Sequence, residues 1–103
     1  MHKQVDVNRM IKRATELIKR DPNLVAVFCG ANKKIVRIVV MAGKDAVKKG
    51  INAGEIAEKT VSILGGGGGG RPDFTQGGGT LVDKISETML KAEEIIRKQL
   101  DGS

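Results

Sequence analysis

Aromatic side chains are almost missing from this chain, which has no tryptophan, no tyrosine and two phenylalanines, Phe28 and Phe74. Their scarcity argues against a single-strand nucleic-acid binder, in which successive bases stack on Phe, Tyr or Trp. Phe74 alone is no stacking platform, and its type leaves open whether it belongs to the core. Cysteine is reduced to Cys29, so an intramolecular disulfide and a cysteine metal cluster are excluded. Its surroundings, "VAVFCG", suit a buried structural thiol rather than a nucleophile. The one histidine, His2, lies near the start of the chain, which leaves no His-paired catalytic centre and no His-based zinc site. No apolar run approaches the roughly 20 residues of a membrane span, and no basic-then-apolar leader opens the chain. The expectation is a cytoplasmic protein without a membrane partner.

What the chain does have is aliphatic residues, positive charge and glycine. At 103 residues and 40% hydrophobic, it can form one domain with a small core of Ile, Val, Leu, Met and Ala. Lys and Arg number 18 against 12 acids, a net charge of +6 that points to a nucleic-acid or phosphate partner.

The apolar period changes along the chain. Val7, Met10, Ile11, Ala14, Leu17 and Ile18 recur at helical steps, and Asp21, Pro22 and Asn23 end that helix. "LVAVFCG" (Leu24 to Gly30) and "IVRIVVM" (Ile35 to Met41) read as two strands joined by the turn "ANKK". Apart from Arg37 they are almost continuously apolar, which predicts a sheet covered on both faces over much of its area. "AGKDAVKKGINAG", Ala42 to Gly54, has no sustained period and reads as a loop. A second helix starts at Asn52, with Glu55 placed to complete a capping box, and buries Ile56, Ala57, Val61 and Leu64. A third opens at Thr80, with Asp83 in the matching position, and continues through Leu81, Ile85, Met89, Ala92 and Ile96. The predicted fold is α+β, a small β-sheet built around a hairpin and packed against three helices, with a glycine-rich loop between the second and third.

That loop, "SILGGGGGGRPDFTQGGGT", holds nine of the fourteen glycines. A flexible linker would not need a fixed order of arginine, proline, acid, aromatic and amide between its glycine runs. Six glycines satisfy G-x-G-x-x-G trivially, and the strand that precedes the motif in a dinucleotide fold is missing. Gly65 and Gly70 have Walker spacing, but Arg71 and Pro72 stand where Lys and Ser or Thr are required, so nucleoside triphosphate binding is rejected. Glycines do let a large ligand reach backbone amides, and Gly77, Gly78 and Gly79 run into Thr80, where a helix start would attract an anion. Arg71 adds a planar cationic fork beside Pro72. The competing explanation is that the glycines only let the chain cross tightly over the sheet.

"GGGGGGRPDFTQGGG" resembles the glycine-rich signature of the C-terminal domain of alanyl-tRNA synthetases, in which glycines precede Arg-Pro-Asp, an apolar residue, a small residue, Gln and further glycines. The likeness extends less sharply over the hairpin and "GKDAVKKGINAGEIAEKTVSILGG", so that Leu24 to Leu100 is covered. The unbroken first run is most similar to archaeal members. These domains belong to the DHH-associated group, which also closes phosphoesterases acting on single-stranded nucleic acids. There a histidine commonly follows the glycines, where this chain has Arg71 and Pro72, and the DHH catalytic residues are absent.

The resemblance implies a non-catalytic module that binds the elbow of tRNA-Ala and supports homodimerisation, aiding aminoacylation and editing performed by other domains of the parent synthetase. The alternative it leaves open is the substrate-binding domain of a DHH-type phosphoesterase or nuclease. The implied tRNA-binding residues are Lys44, Lys48, Lys49, Gly65, Gly66, Gly67, Gly68, Gly69, Gly70, Arg71, Asp73, Gln76, Gly77, Gly78, Gly79 and Thr80. No catalytic residue, metal or cofactor is expected in this chain; the parent enzyme is implied to use ATP, magnesium and a zinc ion in its editing domain. Residues 1–22 are expected to continue a preceding helical dimerisation section, and 23–103 to form the globular tRNA-binding domain.

Overall fold

The structure, a computed structural model, describes residues 6–101; His2 and the remainder of both chain ends lie outside that range. Helix α1 spans Val7–Arg20, where Asp6 caps the start by accepting from the Arg9 amide at 3.1 Å. Strands β1 (Val25–Ala31) and β2 (Val36–Ala42) pair antiparallel from Val25↔Ala42 to Ala31↔Val36. The expected turn joins them, with the Asn32 side chain accepting from the amides of Lys34 at 2.7 Å and Ile35 at 2.9 Å.

Three local expectations change. The segment after β2 is not all loop, because Lys44–Lys48 forms a short helix, α2. Its first amides are satisfied from a distance, since the Pro22 carbonyl accepts from Asp45 and Ala46 at 3.1 and 3.2 Å. A side chain on Gly43 would collide with that same carbonyl. The glycine-rich stretch is not a loop either. It forms strands β3 (Gly67–Gly70) and β4 (Phe74–Gly79), which complete a sheet of order β1-β2-β4-β3, antiparallel throughout. Finally, no helix starts at Thr80. A 3₁₀ turn at Val82–Lys84 comes first, and α4 runs Ile85–Leu100. Thr80 and Leu81 instead donate their amides to the Leu64 carbonyl, each at 3.0 Å.

Between them, helix α3 (Ala53–Ile63) begins where expected, its Asn52 cap accepting from the Glu55 amide at 3.1 Å. The other half of the anticipated capping box is supplied by Gln99 of α4. Its side-chain oxygen accepts from the Asn52 amide at 2.9 Å, and its nitrogen donates to the Glu55 carboxylate at 2.6 Å. That bond, followed by Lys59, holds the Glu55 carboxyl below the usual carboxylate range. At the far end Gly65 takes φ +76°, and Gly65 and Gly66 donate to Ser62 and Val61 at 3.3 and 3.0 Å. This is a Schellman closure, which needs a left-handed residue and so a glycine.

Alternation along the strands sorts the sheet into two faces. Ile38, Val40 and Ala42, with Val25, Val27 and Cys29 opposite them, lie against the core residues Ile56, Ala57 and Val61 of α3 and Ala92 and Ile95 of α4. Helix α1 packs on the other face of β1 and β2, where the Thr15 hydroxyl lies 3.8 Å from the Met41 sulfur. The expectation of two covered faces therefore holds for that pair of strands. On β3 and β4 the α1-side face carries Gly67, Gly69 and Gln76, all exposed. Among the described residues, no helix is long and apolar enough to cross a membrane.

The alternation also divides the glycines. An ideal Cβ on Gly77 would stand 2.9 Å from Val61 Cγ1, and one on Gly54 would stand 2.6 Å from the Gly70 carbonyl oxygen. Helix α3 thus lies directly on the hairpin backbone, with no room for a methyl group. A Cβ on Gly67 meets nothing within 4 Å. Gly77→Ala is expected to destabilise the fold by about 1–3 kcal/mol through overpacking. Gly67→Ala should be neutral or stabilising by about 0.4–1 kcal/mol through the unfolded chain. Thermal melts of the two variants compare these outcomes directly.

Candidate nucleic-acid interface

The turn between β3 and β4 explains the fixed order of Arg71, Pro72 and Asp73. Arg71 and Phe74 close the hairpin, the Arg71 amide donating to the Phe74 carbonyl at 3.1 Å, with Pro72 and Asp73 at the tip. The tip is tied from two directions. The Pro72 carbonyl accepts from the Ala53 amide at 2.8 Å, at the start of α3, and the Asp73 carbonyl accepts from the Ala42 amide at 2.9 Å, at the end of β2. Proline has its φ preset, so little conformational freedom is lost in holding this geometry. The Arg71 guanidinium and the Asp73 carboxylate stand 3.4 Å apart, and both are mostly exposed. An exposed pair of this kind adds little stability and leaves the guanidinium accessible.

Beside this turn lies an open groove of about 690 Å³ between α1 and the hairpin. Ile18, Met41 and Phe74 supply its apolar lining, and Lys19, Lys44, Arg71 and Asp73 its charged lining. Phe74 is half-buried there, which answers the question its sequence left open. Lys44 is placed by the Pro22 carbonyl that caps α2, so the α1–β1 turn sets the position of a groove cation.

Of the residues anticipated from the sequence, the fold brings Lys44, Arg71 and Asp73 together in this groove. Gly67, Gly69, Gln76 and Gly78 lie on one sheet face with Arg37 of β2, whose Cδ is 3.2 Å from where a Gly78 Cβ would be. Gly68, Gly70, Gly77 and Gly79 face the α3 side, and Gly65 and Gly66 are used to end α3. Lys48 and Lys49 are exposed at the other end of α2, outside the groove lining, where neighbouring Gly50 abuts the Gln99 carbonyl. Thr80 offers no helix N-terminus to an anion, because its amide is bonded to the Leu64 carbonyl and no helix starts there. The fold also brings Lys19 to the groove and Arg37 to the open glycine face, neither of them anticipated from the sequence. The available signal for Arg37 was its position as the single charge in "IVRIVVM".

The DHHA1 domain model matches residues 1–98. The chain belongs to the DHHA1 family. It is 44% identical to an alanine–tRNA ligase of Natranaerobius thermophilus over 82% of its own length and 10% of that protein. With an alanine–tRNA ligase of Methanococcoides burtonii it shares 38% identity over 93% of its length, again 10% of the relative. The C-Ala domain of Aquifex aeolicus alanyl-tRNA synthetase superposes with a TM-score of 0.82 at 30% identity, covering 90% of this chain and 83% of that one. The chain thus spans about a tenth of the length of the curated ligases it matches, and it corresponds to their C-Ala portion.

Cys29 lies away from the groove, facing α4 with its sulfur 3.4 Å from that of Met89. Burial pushes its thiol pKa up, so the reactive thiolate is scarce at neutral pH. Alkylation by iodoacetamide at pH 7.5 is expected to be slower than that of free glutathione, and the rate should rise with pH toward the alkaline range. A mass-spectrometric time course checks this; labelling as fast as glutathione would contradict it.

Proposed function

We propose that this domain is a non-catalytic tRNA-binding module of an alanyl-tRNA synthetase, acting in the cytoplasm. In this reading it docks on the elbow of tRNA-Ala and holds the tRNA for charging and editing by other domains of the parent enzyme. The observation that carries it is the uncovered glycine face of β3 and β4. Gly67 and Gly69 open onto free space there, with Arg37 on the same face and Lys44 and Arg71 at the adjoining groove. A flat surface of bare backbone suits an exposed base pair and ribose hydroxyls, while the cations suit flanking phosphates. Recognition of this kind reads shape and needs no aromatic platform, in keeping with the composition.

The test uses the two parts of the site separately. Gly67→Leu adds bulk in open space, so the fold should tolerate it, while the preference for whole tRNA-Ala over an acceptor-stem minihelix lacking the elbow should be lost. Replacing Lys44 and Arg71 together by alanine should flatten the log–log salt dependence of tRNA affinity by about 1.4–1.8 units, at roughly 0.7–0.9 per phosphate contact. The pair Lys48→Ala and Lys49→Ala should change it less. Gel-shift titrations at several salt concentrations give both quantities. A Gly67→Leu protein that melts like the parent and retains its preference for whole tRNA would reject the glycine face as the docking surface.

Homodimerisation is proposed through a separate surface. Helix α4 exposes Leu90 and Met89 beside Val25 and Val27 of the edge strand β1, an apolar surface on the side away from α1. Light scattering over a wide concentration range, on the parent and on Leu90→Lys, would detect association through it.

A further inference from the structure

Charge is distributed unevenly between the two sides of the molecule. Helix α4 carries three acids and three bases in Glu87, Lys91, Glu93, Glu94, Arg97 and Lys98, and all three acids are ion-paired within 3.6 Å. Helix α1 carries Arg9, Lys12, Arg13, Lys19 and Arg20 against Glu16 alone. All six side chains are exposed, and among the described residues none of them forms an ion pair. Helix α1 also packs on the same side of the sheet as the open glycine face.

The helical period assigns these cations to two flanks. Ile11, Ile18 and Lys19 line the groove, so the flank of α1 that contains them faces the hairpin. Lys12 precedes Lys19 by seven residues, which returns it to within about 20° of the same direction, roughly 10 Å along the axis. Arg13 and Arg20 each lie about 100° further round, on the flank turned away from the groove. Arg71 stands on the hairpin side of the groove, and Lys44 opens α2 beside the α1–β1 turn.

We propose that α1 is the second wall of the nucleic-acid site, with Lys12 and Lys19 binding phosphates of the same RNA that contacts Lys44, Arg71 and the glycine face. The inference rests on the tRNA-binding reading above and extends its footprint to a helix that the family resemblance implies belongs to a dimerisation section. The groove has cations on both banks, and its one carboxylate, Asp73, is already beside Arg71. That arrangement complements a polyanionic strand entering between the banks.

The experiment measures tRNA-Ala affinity across a salt series for this 103-residue chain and four variants. Lys12→Ala with Lys19→Ala is expected to weaken binding roughly tenfold at moderate salt and to flatten the log–log slope by about 1.4–1.8 units. Lys12→Arg with Lys19→Arg should restore the slope, and Arg13→Ala with Arg20→Ala should leave it near the parent value. Lys44→Ala with Arg71→Ala serves as the reference for the bound site. If the reference pair flattens the slope and the Lys12–Lys19 pair does not, the α1 wall is overturned and the tRNA reading stands. If neither does, both fail. An equal effect from Arg13 and Arg20 would also overturn the wall, since diffuse charge would then account for binding. So would a change in molar mass by light scattering with an unchanged slope, which would make α1 a surface for a second copy of this chain.

Discussion

The contact on which the rest of the molecule depends is that of a helix with bare backbone. Helix α3 approaches β3 and β4 so closely that Gly54 lies against the Gly70 carbonyl and Val61 lies against Gly77. Ordinary helix–sheet layers are spaced by side chains from both partners, whereas here one partner contributes only main chain. Close packing has no slack for a methyl group at such a point. The approach also brings the Ala53 amide onto the Pro72 carbonyl, which fixes the turn that carries Arg71 and Asp73. The glycines thereby help to position the charged side chains of the turn.

The same strands serve two purposes because successive residues face opposite ways. Gly68 and Gly77 satisfy the packing requirement of α3, while Gly67 and Gly69, on the other face, leave the sheet surface flat and open. A ligand cradle and a tight crossing, which compete as explanations of a glycine run, are thus compatible in alternate residues. Arg37 at the same face and the groove cations Lys19, Lys44 and Arg71 then give that flat surface its positive surround.

The electrostatics follow the layers. On α4 each glutamate has a neighbouring base one helical turn away, a local arrangement that cancels charge and contributes little to stability. The excess that makes the net charge +6 is carried instead by α1, by Lys33, Lys34 and Arg37 of the β1–β2 hairpin, by the groove and by the exposed end of α2. A net positive field speeds encounter with a polyanion.

Much of this was determined by sequence alone, and the limit is physical. Helix α1, the β1–β2 hairpin and the Asn52 cap are written in local periodicity and capping chemistry, which act over a few residues. The glycine signature, with Arg-Pro-Asp at its centre, was sufficient for the family. The strands β3 and β4 were not legible, since six glycines have no side-chain alternation and their pairing is imposed by β2 and α3. Helix α2 was hidden for a similar reason, because the carbonyl that caps it comes from Pro22. Gln99 completes the Asn52 cap from 47 residues away, beyond the reach of any local rule. Tertiary structure alone decided which glycines are open, and that Lys19, Lys44 and Arg71 share one groove, because both depend on where α1 and α3 settle on the sheet.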